Sequence, residues 1–258
     1  MRRKLVVGNW KLNGSLERNR VLIESLLRNL KGLNTVDCTI CVPYIYLFQA
    51  QHLLSKSNIT WGAQNVSQFE EGAFTSSISA TMVAEFGCTF AIIGHSERRA
   101  LSNESTQKAV IRFMRALGAG ITPIYCVGET LDERESGHAQ SVIKDQILAI
   151  TNGFDDVLFE RAKQLNPVFA YEPVWAIGTG KNASPQQAQE MHLFIRNLIA
   201  ERDVDFAQQA RIIYGGSVTP KNAFNILKMP DIDGSLIGRC ALNADQFSTI
   251  CAIANDII

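Results

Sequence analysis

The chain has 258 residues, 46% of them hydrophobic, with 25 Lys and Arg against 25 Asp and Glu. That length is enough to bury a full core, and the balanced charge offers no electrostatic footprint for nucleic acid or an anionic membrane. Arg2-Arg3-Lys4 resembles the start of a signal peptide, but the apolar run ends at Gly8-Asn9-Trp10-Lys11. No segment approaches the roughly 20 apolar residues of a membrane span, so a soluble, cytoplasmic protein is expected.

Short apolar runs alternate with helical patterns from end to end. Strands are predicted over 5–8, 38–42, 59–62, 90–94, 122–127, 168–171, 211–214 and 235–238. Helices are predicted over 15–30, 79–86, 105–117, 139–150, 184–202, 219–227 and 244–257. The first helix is the clearest, with Ile23, Leu26, Leu27 and Leu30 at i, i+3, i+4, i+7. In the second strand Cys38 and Cys41 form the C-x-x-C pair. Residues three apart in a strand point to opposite faces, so the pair is expected neither to chelate a metal nor to close a disulfide. The six cysteines read as reduced thiols used as small hydrophobes, which fits the cytosol.

The strands are short and apolar on both faces, as parallel strands covered by helices are. Eight βα units without a linker predict a single closed (β/α)8 barrel over 1–258, with an open doubly wound sheet as the alternative. In such a barrel the residues just after each strand share one rim. Asn9-Trp10-Lys11 follow the first strand, Gln64-Asn65 the third and His95-Ser96-Glu97-Arg98-Arg99 the fourth. Gly128-Glu129-Thr130 follow the fifth, Glu172 the sixth, Gly215-Gly216-Ser217 the seventh, and Gly238-Arg239 close the eighth. An acid, an imidazole and an ammonium thus converge on the face where barrels of this kind carry active sites.

The segment 170–181, AYEPVWAIGTGK, is the most informative. A strand delivers Glu172, and Pro173 ends the ladder and biases Glu172 away from helix. A greasy loop with two inner glycines follows and reads as a lid. Ser184, Pro185 and Gln187 then start a helix with a capping box. Gly178-x-Gly180-x-x-Ala183 matches a dinucleotide fingerprint in letters only. Its first glycine does not follow the strand directly, and Trp175 stands where a phosphate loop of the Walker type needs glycine. Of the histidines, His95 precedes a plausible helix start at Ser96-Glu97. His192 sits beside the stripe Met191, Ile195, Leu198 and reads as packing, and His52 and His138 lie in polar surroundings.

Over essentially its whole length the chain resembles the triosephosphate isomerase family. The blocks that carry the resemblance are GNWKLN at 8–13, GAQN at 62–65 and GAFT at 72–75. IIGHSERR at 92–99, AYEPVWAIGTGK at 170–181 and YGGSV at 214–218 complete them. The resemblance implies cofactor-free and metal-free interconversion of dihydroxyacetone phosphate and glyceraldehyde 3-phosphate. It implies that Glu172 is the base, that His95 polarises the carbonyl, and that Lys11, with Asn9 beside it, holds developing charge and attracts the phosphate. Glu97 would be an auxiliary acid. Gly178, Ser217, Gly238 and Arg239 would offer backbone N–H groups to the phosphate, a role glycine favours and helix starts suit. A non-catalytic phosphate-binding barrel and another phosphosugar isomerase on the same fold are the alternatives.

The resemblance further implies a homodimer in which the loop bearing Phe74 and Thr75 enters a pocket of the second subunit. Two departures from the family pattern stand out. Ser76-Ser77 replace the usual Gly-Glu, so the ion pair expected across the interface with Arg98 is lost. Arg239 stands where a second glycine is common.

Overall fold

The computed structural model of the chain describes residues 2–177 and 183–257. Its strands are β1 (Lys4–Asn9), β2 (Val36–Val42), β3 (Ile59–Ala63), β4 (Phe90–Ile93), β5 (Thr122–Val127), β6 (Val168–Tyr171), β7 (Arg211–Tyr214) and β8 (Gly234–Ile237). Each pairs in parallel with the next, and β8 returns to β1, so the sheet closes into the expected (β/α)8 barrel. The open sheet is thereby excluded.

The apolar character of both strand faces has two destinations. Leu5 and Val7, Phe90 and Ile92, Ile124 and Cys126, and Val168 and Ala170 meet inside the barrel. Their neighbours Val6, Ala91, Ile93, Tyr125 and Phe169 pack outward beneath the helices. Because side chains alternate along a strand, each strand fills both layers. Cys38 belongs to the outer layer and Cys41 to the inner one, so this pair does face apart. All six cysteines are free and buried.

The predicted helices form where caps and periodicity coincide. Leu16–Asn29 starts at Ser15, Thr106–Gly118 at Ser105, and Pro185–Ala200 at Ser184 with the reciprocal Gln187 bond of a capping box. The stretch expected as helix from 219 is helical only over Ala223–Leu227. Asn222 Oδ1 accepts from the Thr219 N–H at 2.8 Å, and this side-chain turn delays the helix. The helix start expected at Ser96-Glu97 is found as Ser96–Leu101, whereas four helices were not expected: Leu47–Leu54, Leu131–Glu135, Asp156–Leu165 and Val204–Gln209. They are too short for periodicity to register. Asp156–Leu165, for instance, buries only Phe159 and Ala162.

At the N-terminal end of the strands lies a buried charge network. Arg196 donates to Asp231 Oδ1 at 2.6 Å and to Asp233 Oδ2 at 2.7 Å, and Arg2 Nε reaches Asp233 Oδ1 at 2.7 Å. Burial pushes the Asp231 carboxyl up, but donors from Gln189 and Arg196 outweigh it and hold its pKa below the usual value. The network fastens β8 to β1 and to the helix Pro185–Ala200, at the end of the barrel opposite the strand-end residues named above.

His192 is packing, as its apolar stripe suggested. Its ring is fully buried between Tyr171 and Tyr214, 5.9 and 6.3 Å from their centroids. Burial pushes its pKa down from 6.5 to about 4. A pKa depressed on folding means the unfolded chain binds the proton more readily. Stability is therefore complete above pH 6.5 and drains as pH falls toward 4, by up to about 3 kcal/mol from this group. Urea unfolding at fixed protein concentration between pH 7.5 and pH 4.5 will show that decline, and His192→Asn will have a shallower one. Equal acid slopes in the two proteins would refute this account.

Candidate active site

The strand ends build one cleft of about 700 Å³. Asn9, Lys11, His95, Glu97, Glu172, Ser217, Gly238 and Arg239 all line it. Gly178 lies outside the described residues. Phe74 and Thr75 stand away from this cleft on the loop between β3 and the helix Ala80–Glu85. Thr75 is exposed, and Phe74 is 40% exposed with its ring stacked on Phe69.

Lys11 arrives on a backbone that only local bonds make tolerable. Its φ is +53°, in the left-handed region that costs a residue with a side chain roughly 1 kcal/mol. Asn9 Oδ1 accepts the Lys11 N–H at 3.0 Å, and Gln64 Nε2 donates to the Lys11 carbonyl at 3.0 Å. The ammonium then meets Glu97 Oε1 at 2.5 Å. It lies over Gly238, where a Cβ would stand 3.2 Å from Lys11 Cε and press on it. Glycine at 238 thus serves Lys11 as well as leaving a backbone N–H open.

Glu172 leaves β6 pointing into the cleft and is 2% exposed. Its own N–H is bonded to the Val127 carbonyl at 2.8 Å, which fixes the backbone across from β5. Gly215 makes room on the other side, since a Cβ there would come within 2.8 Å of Glu172 Cγ. The carboxylate accepts from the Ser96 N–H at 2.9 Å and the Ser96 hydroxyl at 3.2 Å. Burial without these partners would be costly for an ionised acid.

His95 is the N-cap of the helix Ser96–Leu101, and its Nδ1 accepts the Glu97 N–H at 3.2 Å. A ring nitrogen that accepts carries no proton, so Nε2 bears it. Nε2 lies 3.0 Å from Glu172 Oε1. A proton donor and a carboxylate therefore stand side by side in a buried cleft, with a lysine ammonium on the same wall.

Two residues without an expected role do structural work here. Ser96 holds the Glu172 carboxylate; a free N–H in the first turn of a helix was the available signal. Glu129, on the expected rim, is completely buried and is no rim acid. Its Oε1 accepts from Tyr171 Oη at 3.0 Å, Trp175 Nε1 at 2.9 Å and Arg134 Nη1 at 3.0 Å. The Arg134 guanidinium also covers the Trp175 ring at 4.7 Å. Glu129 therefore ties the root of the 173–177 segment to the loop after β5. Arg98 likewise has partners within the chain, its Nε donating to the buried Glu104 at 2.7 Å, where Arg112 also binds. Burial first, and then the neighbouring Glu172, raise the pKa of the Cys126 thiol on the barrel floor, so it is inert.

A family model described as triosephosphate isomerase matches residues 4–254. Among curated relatives, the triosephosphate isomerase of Thiobacillus denitrificans is 49% identical over 254 residues, covering 98% of this chain and 99% of that protein. That of Nitrosomonas europaea is 48% identical over 251 residues, covering 97% and 98%. That of Dechloromonas aromatica is 48% identical over 255 residues, covering 99% and 100%.

Proposed function

Because the chain belongs to the triosephosphate isomerase family, we propose that it interconverts dihydroxyacetone phosphate and D-glyceraldehyde 3-phosphate through an enediolate, without a cofactor or metal. The observation that carries this reading is the 3.0 Å approach of Glu172 Oε1 to His95 Nε2 inside the cleft that Lys11 also lines. A proton on carbon beside a carbonyl is a weak acid. Removing it takes a desolvated carboxylate and donors preorganised for the incipient oxyanion. Glu172 removes that proton and returns it to the neighbouring carbon. His95 Nε2–H polarises the carbonyl and passes protons between the two oxygens. Lys11 and Asn9 hold the enediolate oxygen and draw in the phosphate, and Glu97 orients the Lys11 ammonium. Backbone N–H groups at Gly178, Ser217, Gly238 and Arg239 hold the phosphate. The whole chain acts as a single barrel domain in the cytoplasm, serving glycolysis and gluconeogenesis. A coupled assay on glyceraldehyde 3-phosphate in the presence of a chelator tests the reading, and the absence of turnover there would end it.

The same reading makes the protein a homodimer. Leu12 is 97% exposed, Leu101 84%, Ile45 77% and Phe48 69%, and Phe74 on its loop is 40% exposed. Large apolar side chains so exposed are what an interface would cover. Ser77 cannot pair with Arg98, which is already engaged by Glu104. Apolar burial and hydrogen bonds therefore hold the dimer, and salt will weaken it little, since screening acts on charge pairs. Sedimentation across dilution and salt will give a dimer whose dissociation is nearly salt-independent. A fully active monomer would defeat the assembly, and steep salt-driven dissociation would defeat the account of what holds it.

A further inference from the structure

We propose that the Arg239 side chain is a second cationic contact for the substrate's phosphate, setting KM and its salt dependence; this rests on the isomerase reading above. Among the described residues, the charged residues lining the cleft are two acids, Glu97 and Glu172, and two cations, Lys11 and Arg239. Lys11 is already paired with Glu97 at 2.5 Å. Arg239 is exposed, and no hydrogen bond or ion pair with another described residue engages it. Without Arg239 these groups carry a net negative charge, at the place where a dianion has to bind.

The position suits the task. Arg239 is the first residue of the 3-10 helix Arg239–Leu242 and directly follows Gly238. Lys11 Nζ would lie 3.6 Å from a Cβ at Gly238, so the two cations flank one short stretch of backbone. Backbone N–H groups there give directional bonds but no net charge. A guanidinium adds charge, and its planar fork matches two phosphate oxygens. Being long and exposed, it acts first on the incoming anion, so its mark is on association and on salt dependence.

The test is Arg239→Gln and Arg239→Lys. At low ionic strength Arg239→Gln will raise KM about fivefold to tenfold, with kcat reduced by less than about twofold, and the gap will narrow as salt is added. Arg239→Lys will recover part of the affinity, as a point charge without the fork. Calorimetry with inorganic phosphate reads the same site without catalysis, and Arg239→Gln will weaken that binding by a similar factor. Wild-type protein that binds phosphate in an Arg239-dependent way yet never isomerises would topple the isomerase reading and leave the phosphate contact standing. Equal KM and equal phosphate affinity in wild type and Arg239→Gln at every salt concentration would overturn the proposal. A fall in kcat alone would overturn it too.

Discussion

Replacing Glu172 with aspartate will lower kcat by about a hundredfold or more while the barrel stays folded. The shorter side chain withdraws the carboxylate by about one C–C bond, and misplacement by roughly 1 Å costs on the order of a hundredfold when a reaction depends on alignment. In the structure Glu172 is held within hydrogen-bonding distance of three groups, the Ser96 N–H and hydroxyl and His95 Nε2. Aspartate cannot keep these contacts and also reach a substrate carbon. The proposed phosphate contacts lie on other elements, so KM will change far less than kcat. Steady-state kinetics with circular dichroism as the folding control decides the matter. Turnover near that of the wild type would remove Glu172 from the role of base.

Lys11→Met will lower kcat/KM by about a thousandfold or more. Methionine keeps the apolar stem of lysine as far as Cε. The left-handed backbone at 11 is held by Asn9 and Gln64 through main-chain atoms, so it survives the change. What disappears is the ammonium, and a single donor aimed at developing negative charge is worth about a hundredfold to a thousandfold in kcat. The loss also strips Glu97 of its partner, leaving an unpaired acid beside the substrate. The double variant Lys11→Met with Glu97→Gln separates these effects. It will regain some affinity but little turnover, because removing repulsion does not replace a cation. A single variant within tenfold of wild type would sink the assignment.

The barrel was legible in the chain because eight apolar runs, each filling two layers, leave little else for a sheet to do. The ends of β5, β6 and β7 agree with expectation residue for residue. The meeting of Lys11, His95 and Glu172 in one cleft was legible for a similar reason: each sits just after a strand, and strand ends share a rim. Short helices escaped because five to ten residues give too few turns to show a stripe. Glu129 escaped in a different way. Its place after β5 suggested a rim acid, whereas the three donors that bury it come from Tyr171, Trp175 and Arg134, two of them more than forty positions away in the chain. Ser96 was read as a helix start and no more, since nothing local shows that its N–H points at a carboxylate 76 positions on.

The closure of β8 on β1 has a bearing on biosynthesis. Leu5 pairs with Gly234 and Val7 with Leu236, and Arg2 finds Asp233, so the first strand must wait for nearly the last to be made. At ordinary translation rates that interval is on the order of ten seconds or more. Throughout it β1 has one open edge, and Arg2 beside it lacks its acids, Asp231 and Asp233. An open, apolar strand edge is a template for pairing with other chains. A ribosome that stalls before codon 233 would therefore release a nearly complete but unclosable ring. Such fragments should be the natural clients of holdase chaperones, whereas the finished chain, with its seam locked, should be ignored by them.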